Sequence, residues 1–259
     1  MTTPLPSIHT GEIVRDLMRS ELIKIRSART LRLLPVLALI IPPLLAAVVG
    51  STGSLEPEDT VLGAALTGTS MALAVVGAWS ALIVTTEFGS GTIRPVLAAS
   101  PRRDLVLAAK ALVVVLVSIP LGLVATTAAY LVGRAVIESP EYAAGQVFPG
   151  ILGIVCCFPA VALSGVAFGV LLRNSAGAVA VVGGYLIVPQ ISAAQAFGDL
   201  HKWLTVGAPS AVVAKLSQSS DAAPQIMGTL GGWPRLAVVV AGALGALSMA
   251  RRVFDRIDL

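Results

Sequence analysis

The chain has 259 residues, of which 56% are apolar and only 12% charged, with a formal net charge of +4. Soluble domains carry about 25% charged residues, so a soluble enzyme is excluded: it would have too few charges to cover its surface. The basic residues sit beside apolar runs rather than in one patch with interleaved aromatics, which excludes nucleic acid as the partner. Cys156 and Cys157 are adjacent, and His9 and His201 lie far apart, so neither a disulfide nor a metal or redox centre is expected.

In chain order, Glu12–Leu31 reads as an amphipathic helix. Val14, Leu17, Met18, Leu22 and Ile25 share one face of a 3.6-residue wheel, flanked by Arg15, Arg19 and Arg26. Such a helix suits the membrane interface, with its arginines towards anionic headgroups. Glu21 interrupts the apolar face and calls for a specific partner. No cleavable signal peptide is expected, because some thirty residues of mixed charge precede the first apolar run.

Six runs are long enough to cross a bilayer, which takes about 20 apolar residues. They are Leu33–Gly50, Val61–Val84, Ala111–Gly133, Val147–Leu172, Ala176–Phe197 and Leu236–Ala250, the last extended by Trp233 and Pro234. Pro42 and Pro43 are expected to kink the first. The fold class is therefore an all-α polytopic membrane protein forming a single transmembrane domain over 1–259. Of the 18 Lys and Arg residues, 14 fall on one side: those before span 1, between spans 2 and 3, Arg173, and those after span 6. The positive-inside rule then places both termini in the cytoplasm.

The runs contain no Asp, Glu, Lys, Arg or His. Ion-coupled carriers keep such residues at mid-membrane, so the energy for any uphill transport is expected from outside the membrane. The chain also lacks a G-x-x-x-x-G-K-[ST] phosphate loop, so it is not expected to be an enzyme. Gln190 and Gln195, around the break expected after Pro189, are candidates to line a pathway. Gly165-x-x-x-Gly169 allows close helix approach and is a dimerisation signal of low specificity.

Between spans 2 and 3 the sequence reads TTEFGSGTIRPVLAASPRRDLVLAAK (85–110). Gly89 and Gly91 end span 2, and a residue with a Cβ is expected to strain the turn at Gly91. Thr92 caps a short helix, and Ser100-Pro101 starts the next, with Asp104 in its first turn. Glu87 is placed to hold Arg102 or Arg103 across this loop. The product is a compact lever facing the cytosol.

Glu87-Phe88-x-x-Gly91-Thr92-Ile93-Arg94, then Pro101-Arg102-Arg103 and Ala109-Lys110, is similar to the corresponding loop of ABC-2 family permeases of bacterial exporters. Ser20-Glu21-Leu22-x-Lys24-x-Arg26 resembles that family's interfacial helix, and Phe254-Asp255-Arg256-x-Asp258 its tail. The Ala-, Val- and Gly-rich composition is similar to that of actinobacterial members. The resemblance implies the ABC-2 type transporter fold and a dimer with a second permease subunit, identical or paralogous. It also implies two copies of a cytosolic ABC ATPase. No cofactor is expected on this chain, because ATP and Mg belong to the ATPase. Residues 85–104 would be the coupling loop, and short external helices would fill Asp199–Pro234. The function implied is export of a hydrophobic or amphipathic substrate across the bacterial cytoplasmic membrane. Two rival classes are a non-transporting anchor or sensor that recruits an ABC ATPase, and an ion-coupled carrier.

Overall fold

The computed structural model describes residues 10–53, 55, 59–99, 102–137, 142–191 and 200–256. Twelve α-helices and one short 3-10 turn make up the described chain, and no strand occurs among the described residues. Helix α1 (Thr10–Ser27) is followed by α2 (Arg29–Thr52), α3 (Val61–Ala65), α4 (Thr69–Gly89), α5 (Ile93–Ala99) and α6 (Arg103–Val136). Then come α7 (Val147–Leu172), α8 (Ser175–Ile191), the short α9 (Leu200–Leu204), α10 (Pro209–Ser217), α11 (Pro224–Met227) and the final α12 (Gly232–Asp255).

Helices α2, α3 with α4, α6, α7 and α12 are long and apolar enough to cross a membrane, and α8 is a shorter apolar helix. Helices α4 and α7 form the buried centre, with α2, α6, α8 and α12 packed around them. The outer face of α2 presents Leu33, Val36, Leu37, Ile40, Leu44 and Val48. A soluble monomer rarely exposes so continuous an apolar stripe, whereas lipid solvates it without cost.

Close approach at the centre depends on missing side chains. A Cβ at Gly165 would collide with the Gly77 carbonyl and the Ser80 hydroxyl, and one at Gly169 would come within 3.0 Å of the Ala81 carbonyl oxygen. The Gly165-x-x-x-Gly169 pair is thus consumed inside the chain, seating α7 on α4, and is not free to join two subunits. Trp79, fully buried on α4, donates from Nε1 to the Leu31 carbonyl at 3.0 Å and ties α4 to the start of α2.

Several boundaries differ from expectation. The interfacial helix ends at Ser27 rather than Leu31, where Ala28 takes an extended conformation before α2 begins. Leu17, Met18 and Ile25 of the expected face do pack inward, but Leu22 is 37% exposed and Glu21 is buried in its stead. Helix α2 runs unbroken through Pro42 and Pro43. The interruption falls in span 2, at Leu66–Gly68, where a Cβ on Gly68 would lie 2.9 Å from Pro42 Cα. Helix α12 extends to Gly232 and Asp255, well beyond the apolar run at both ends. Short helices do occupy the segment between α8 and α12.

Candidate functional site: a charge-locked lever

Helices α4 and α6 extend past their apolar runs, and the charged residues on those extensions meet. Glu87 lies on the last turn of α4 and Lys110 on the second turn of α6; they are 6% and 1% exposed. Lys110 Nζ donates to Glu87 Oε1 at 2.7 Å and to Glu21 Oε2, on α1, at 2.9 Å. Lys24, one turn along α1, donates to Glu21 Oε1 at 2.8 Å and to Glu87 Oε1 at 2.7 Å. Two carboxylates and two ammonium groups thus neutralise one another where three helices join.

Burial of an ion costs several kcal/mol unless it is paired and hydrogen-bonded. Here Lys110 joins α6 to both α1 and α4, and Lys24 joins α1 to α4, so separating any one helix leaves a buried charge short of a partner. Burial pulls the Lys24 ammonium down, but its bonds to Glu21 and Glu87 outweigh this and hold it above the ordinary lysine value. Its contribution to stability is therefore complete at neutral pH and is lost only as pH rises through that elevated value.

The other side of α4's end is also held. Arg173, left-handed at φ 52 in the turn between α7 and α8, places its guanidinium 5.8 Å from the centroid of the Phe88 ring. Ser175 Oγ donates to Thr85 Oγ1 at 2.9 Å, and Asn174 Oδ1 accepts from the Gly177 N–H at the start of α8. From this clamped base the chain turns at Gly91, with φ 72, into α5. The Ser90 and Thr92 hydroxyls lie 2.8 Å apart at the turn. Ile93 and Leu97 anchor α5 in the core, leaving Arg94 exposed with Thr92 and Arg102.

The structure therefore divides the residues singled out in the sequence. Glu21 and Glu87 are the buried acids of the lock and Lys24 its half-exposed ammonium, Phe88 is the clamp, and Gly91, Thr92, Arg94 and Arg102 form an outward surface. Arg26 is exposed on α1. Glu87 does not bridge to Arg102 or Arg103: it is turned inward by Lys24 and Lys110, and Arg103 donates instead to the Asp255 carbonyl at 3.2 Å. Pro101 and Gln195, like the Ser100 cap, lie outside the described residues. Gln190 lines a cavity at the opposite end of the bundle. The pattern of the sequence does not single out Lys110, Arg173 or Ser175 as site residues. Lys110 enters only as the last residue of the loop motif that carries the resemblance, and Arg173 and Ser175 only by their position beside a span end.

No curated sequence relative matches the chain. A family model described as ABC-2 family transporter protein matches residues 17–190, from the middle of α1 to the end of α8. That stretch includes the whole charge cluster, the Gly91 turn and α5. The match covers well over half of the sequence, and the chain belongs to the ABC-2 transporter family.

Proposed function

We propose that this multi-pass permease is the membrane half of an ATP-driven exporter, and that α5 with the Gly91 turn is its contact with the ATPase. The supporting observation is the form of the lever: a short exposed helix on a base locked to three helices and clamped by a fourth segment. A push on Arg94 or α5 would be carried into α1, α4 and α6 together, because their charges cannot part cheaply. Two copies of a cytosolic ABC ATPase would bind ATP and Mg and do the hydrolysis, and a second permease subunit would complete the pathway. A hydrophobic or amphipathic substrate fits apolar runs that contain no Asp, Glu, Lys, Arg or His.

The test is co-purification and transport with a cytosolic ABC ATPase, expected to be encoded by a neighbouring gene. A Cβ at Gly91 meets no neighbouring atom within 4 Å, so the main expected cost of Gly91→Val is backbone strain at a left-handed site, about 1–3 kcal/mol, which should disturb α5 without unfolding the bundle. Gly91→Val and Arg94→Glu should both insert normally and reduce ATPase binding or transport at least tenfold. Arg29→Glu, exposed but away from the lever, should do neither. Equal transport by all three, with the ATPase bound, would refute the assignment.

Orientation rests on the 14 basic residues at the lever end. In a background lacking Cys156 and Cys157, an impermeant thiol reagent should label Ser51→Cys in intact cells of the bacterial host. Ser90→Cys should react only after lysis. Both side chains are exposed, so a reversed pattern would invert the topology.

A further inference from the structure

A cavity of about 360 Å³ lies at the end of the bundle opposite the charge cluster. That volume is within the range of about 300–1,000 Å³ typical of small-molecule sites. Thr67 and Ser70 line it from the interrupted second span and Gln190 from α8, while Ala214, Ile226 and Met227 provide accessible apolar surface on its wall. Both hydrogen-bonding and apolar surfaces are thus available to one ligand.

The charges behind this wall are unusual. Arg235, at the start of α12, is 1% exposed. Its Nε donates to the Leu230 carbonyl at 3.0 Å, and its two terminal nitrogens donate to the carbonyls of Thr205 and Met227. Lys215 likewise donates to the carbonyls of Ala222 and Gly228. Carbonyl dipoles satisfy hydrogen bonds but do not cancel a full charge, and buried charges are ordinarily paired. Thr205 and Met227, whose carbonyls hold the guanidinium, also line the cavity. Asp59 Oδ1 accepts from the Ser220 N–H at 2.9 Å.

The positive field reaches the groups around it. Burial first, then the charge of Arg235, lowers Lys215 below the ordinary lysine value; the same two causes lower His201, which lines the cavity, below the ordinary histidine value.

We propose that this cavity receives the anionic head group of an amphiphile, with its tail along Ala214, Ile226 and Met227. Arg235 attracts the head group through the wall, and the Ser70 hydroxyl and the second N–H of the Gln190 amide supply hydrogen bonds. The inference stands on the cavity and its charges, and its test needs neither ATPase nor transport. A negative result would leave the coupling proposal intact, and failure of coupling would leave this site intact.

Binding to the purified full-length chain in a neutral maltoside detergent would be measured by thermal shift and by titration. The probes are lysophosphatidate, lysophosphatidylcholine, inorganic phosphate and dodecyltrimethylammonium. Lysophosphatidate should bind saturably and at least tenfold more tightly than the other three. Ala214→Trp, which puts a large ring on the cavity lining, should weaken it about tenfold; Ser70→Val, a milder change, should weaken it several-fold with the melting temperature of the free protein unchanged. Equal binding of the cationic and anionic amphiphiles, or of the zwitterionic and anionic ones, would overturn the proposal. So would wild-type affinity in Ser70→Val together with a folded Ala214→Trp. Phosphate binding as tightly as lysophosphatidate would replace the amphiphile assignment with an inorganic-anion site.

Discussion

Lys110→Met should be the most damaging single substitution at the lever end. The methionine matches the lysine stem in length and apolarity, so little packing is lost. What disappears is the ammonium that bonds Glu21 and Glu87 at once. Two carboxylates, each at most 6% exposed, would then share Lys24 alone, whose side chain is 39% exposed. Removing one partner of a buried ion pair typically costs about 3–5 kcal/mol, because the charge left behind is unpaired. A large fall in melting temperature and easier proteolysis of α1 are the expected results. Arg29→Met, at an exposed site, should change the melting temperature by no more than a degree or two. Conversely, protonatable or neutral replacements of both acids should recover part of the loss, since a dry cluster without charge is tolerated better than a broken one.

The second large effect is expected at the helix crossing of α4 and α7. Gly165→Leu places a Cβ into the Gly77 carbonyl and the Ser80 hydroxyl. Ser80 could rotate away, but a backbone carbonyl within a helix cannot, so the helices must part. Overpacking costs about 1–3 kcal/mol where side chains can adjust, and more is expected here because backbone is met. Folded yield in the membrane should drop severalfold, measured as the monodisperse fraction after extraction. Gly183→Leu on α8 provides the contrast: its Cβ meets nothing within 4 Å, so yield should hold. Were Gly165 a subunit contact rather than an internal one, Gly165→Leu would instead separate subunits while leaving each folded.

The spans are legible in the sequence because lipid imposes a strong constraint: a helix that crosses the hydrocarbon core must be apolar along its whole length. The same rule hides the lock. An apolar run ends at its first charge, so Glu87 and Lys110 read as loop residues, although α4 and α6 continue through them. Glu21 is recognisably out of place on an apolar face, and Lys24 lies one turn away on the same helix. Lys110, 89 residues further on, carries no periodic signal that ties it to Glu21. The Gly91 turn is readable, since glycine in a short connection marks a left-handed residue, here at φ 72. Sequence proximity favours Arg102 and Arg103 as partners for Glu87, and it misleads. In space, α1 packs against α6 and brings two lysines closer. The small-residue pair on α7 is similarly ambiguous. Its spacing specifies close approach but not which helix approaches.

The most direct measurement of the lock is a double-mutant cycle across α1 and α6, with Glu21→Gln, Lys110→Met and the pair, read as the free energy of unfolding. Sites that share no contact add within about 0.5 kcal/mol, whereas partners in one buried network depart by about 0.5–3 kcal/mol. The charge-locked lever predicts that the double variant is clearly less destabilised than the sum of the two single ones. It also predicts that ATPase affinity follows the same non-additive pattern. Strict additivity in both readouts would show that α1 and α6 are not joined through these charges and would contradict the account.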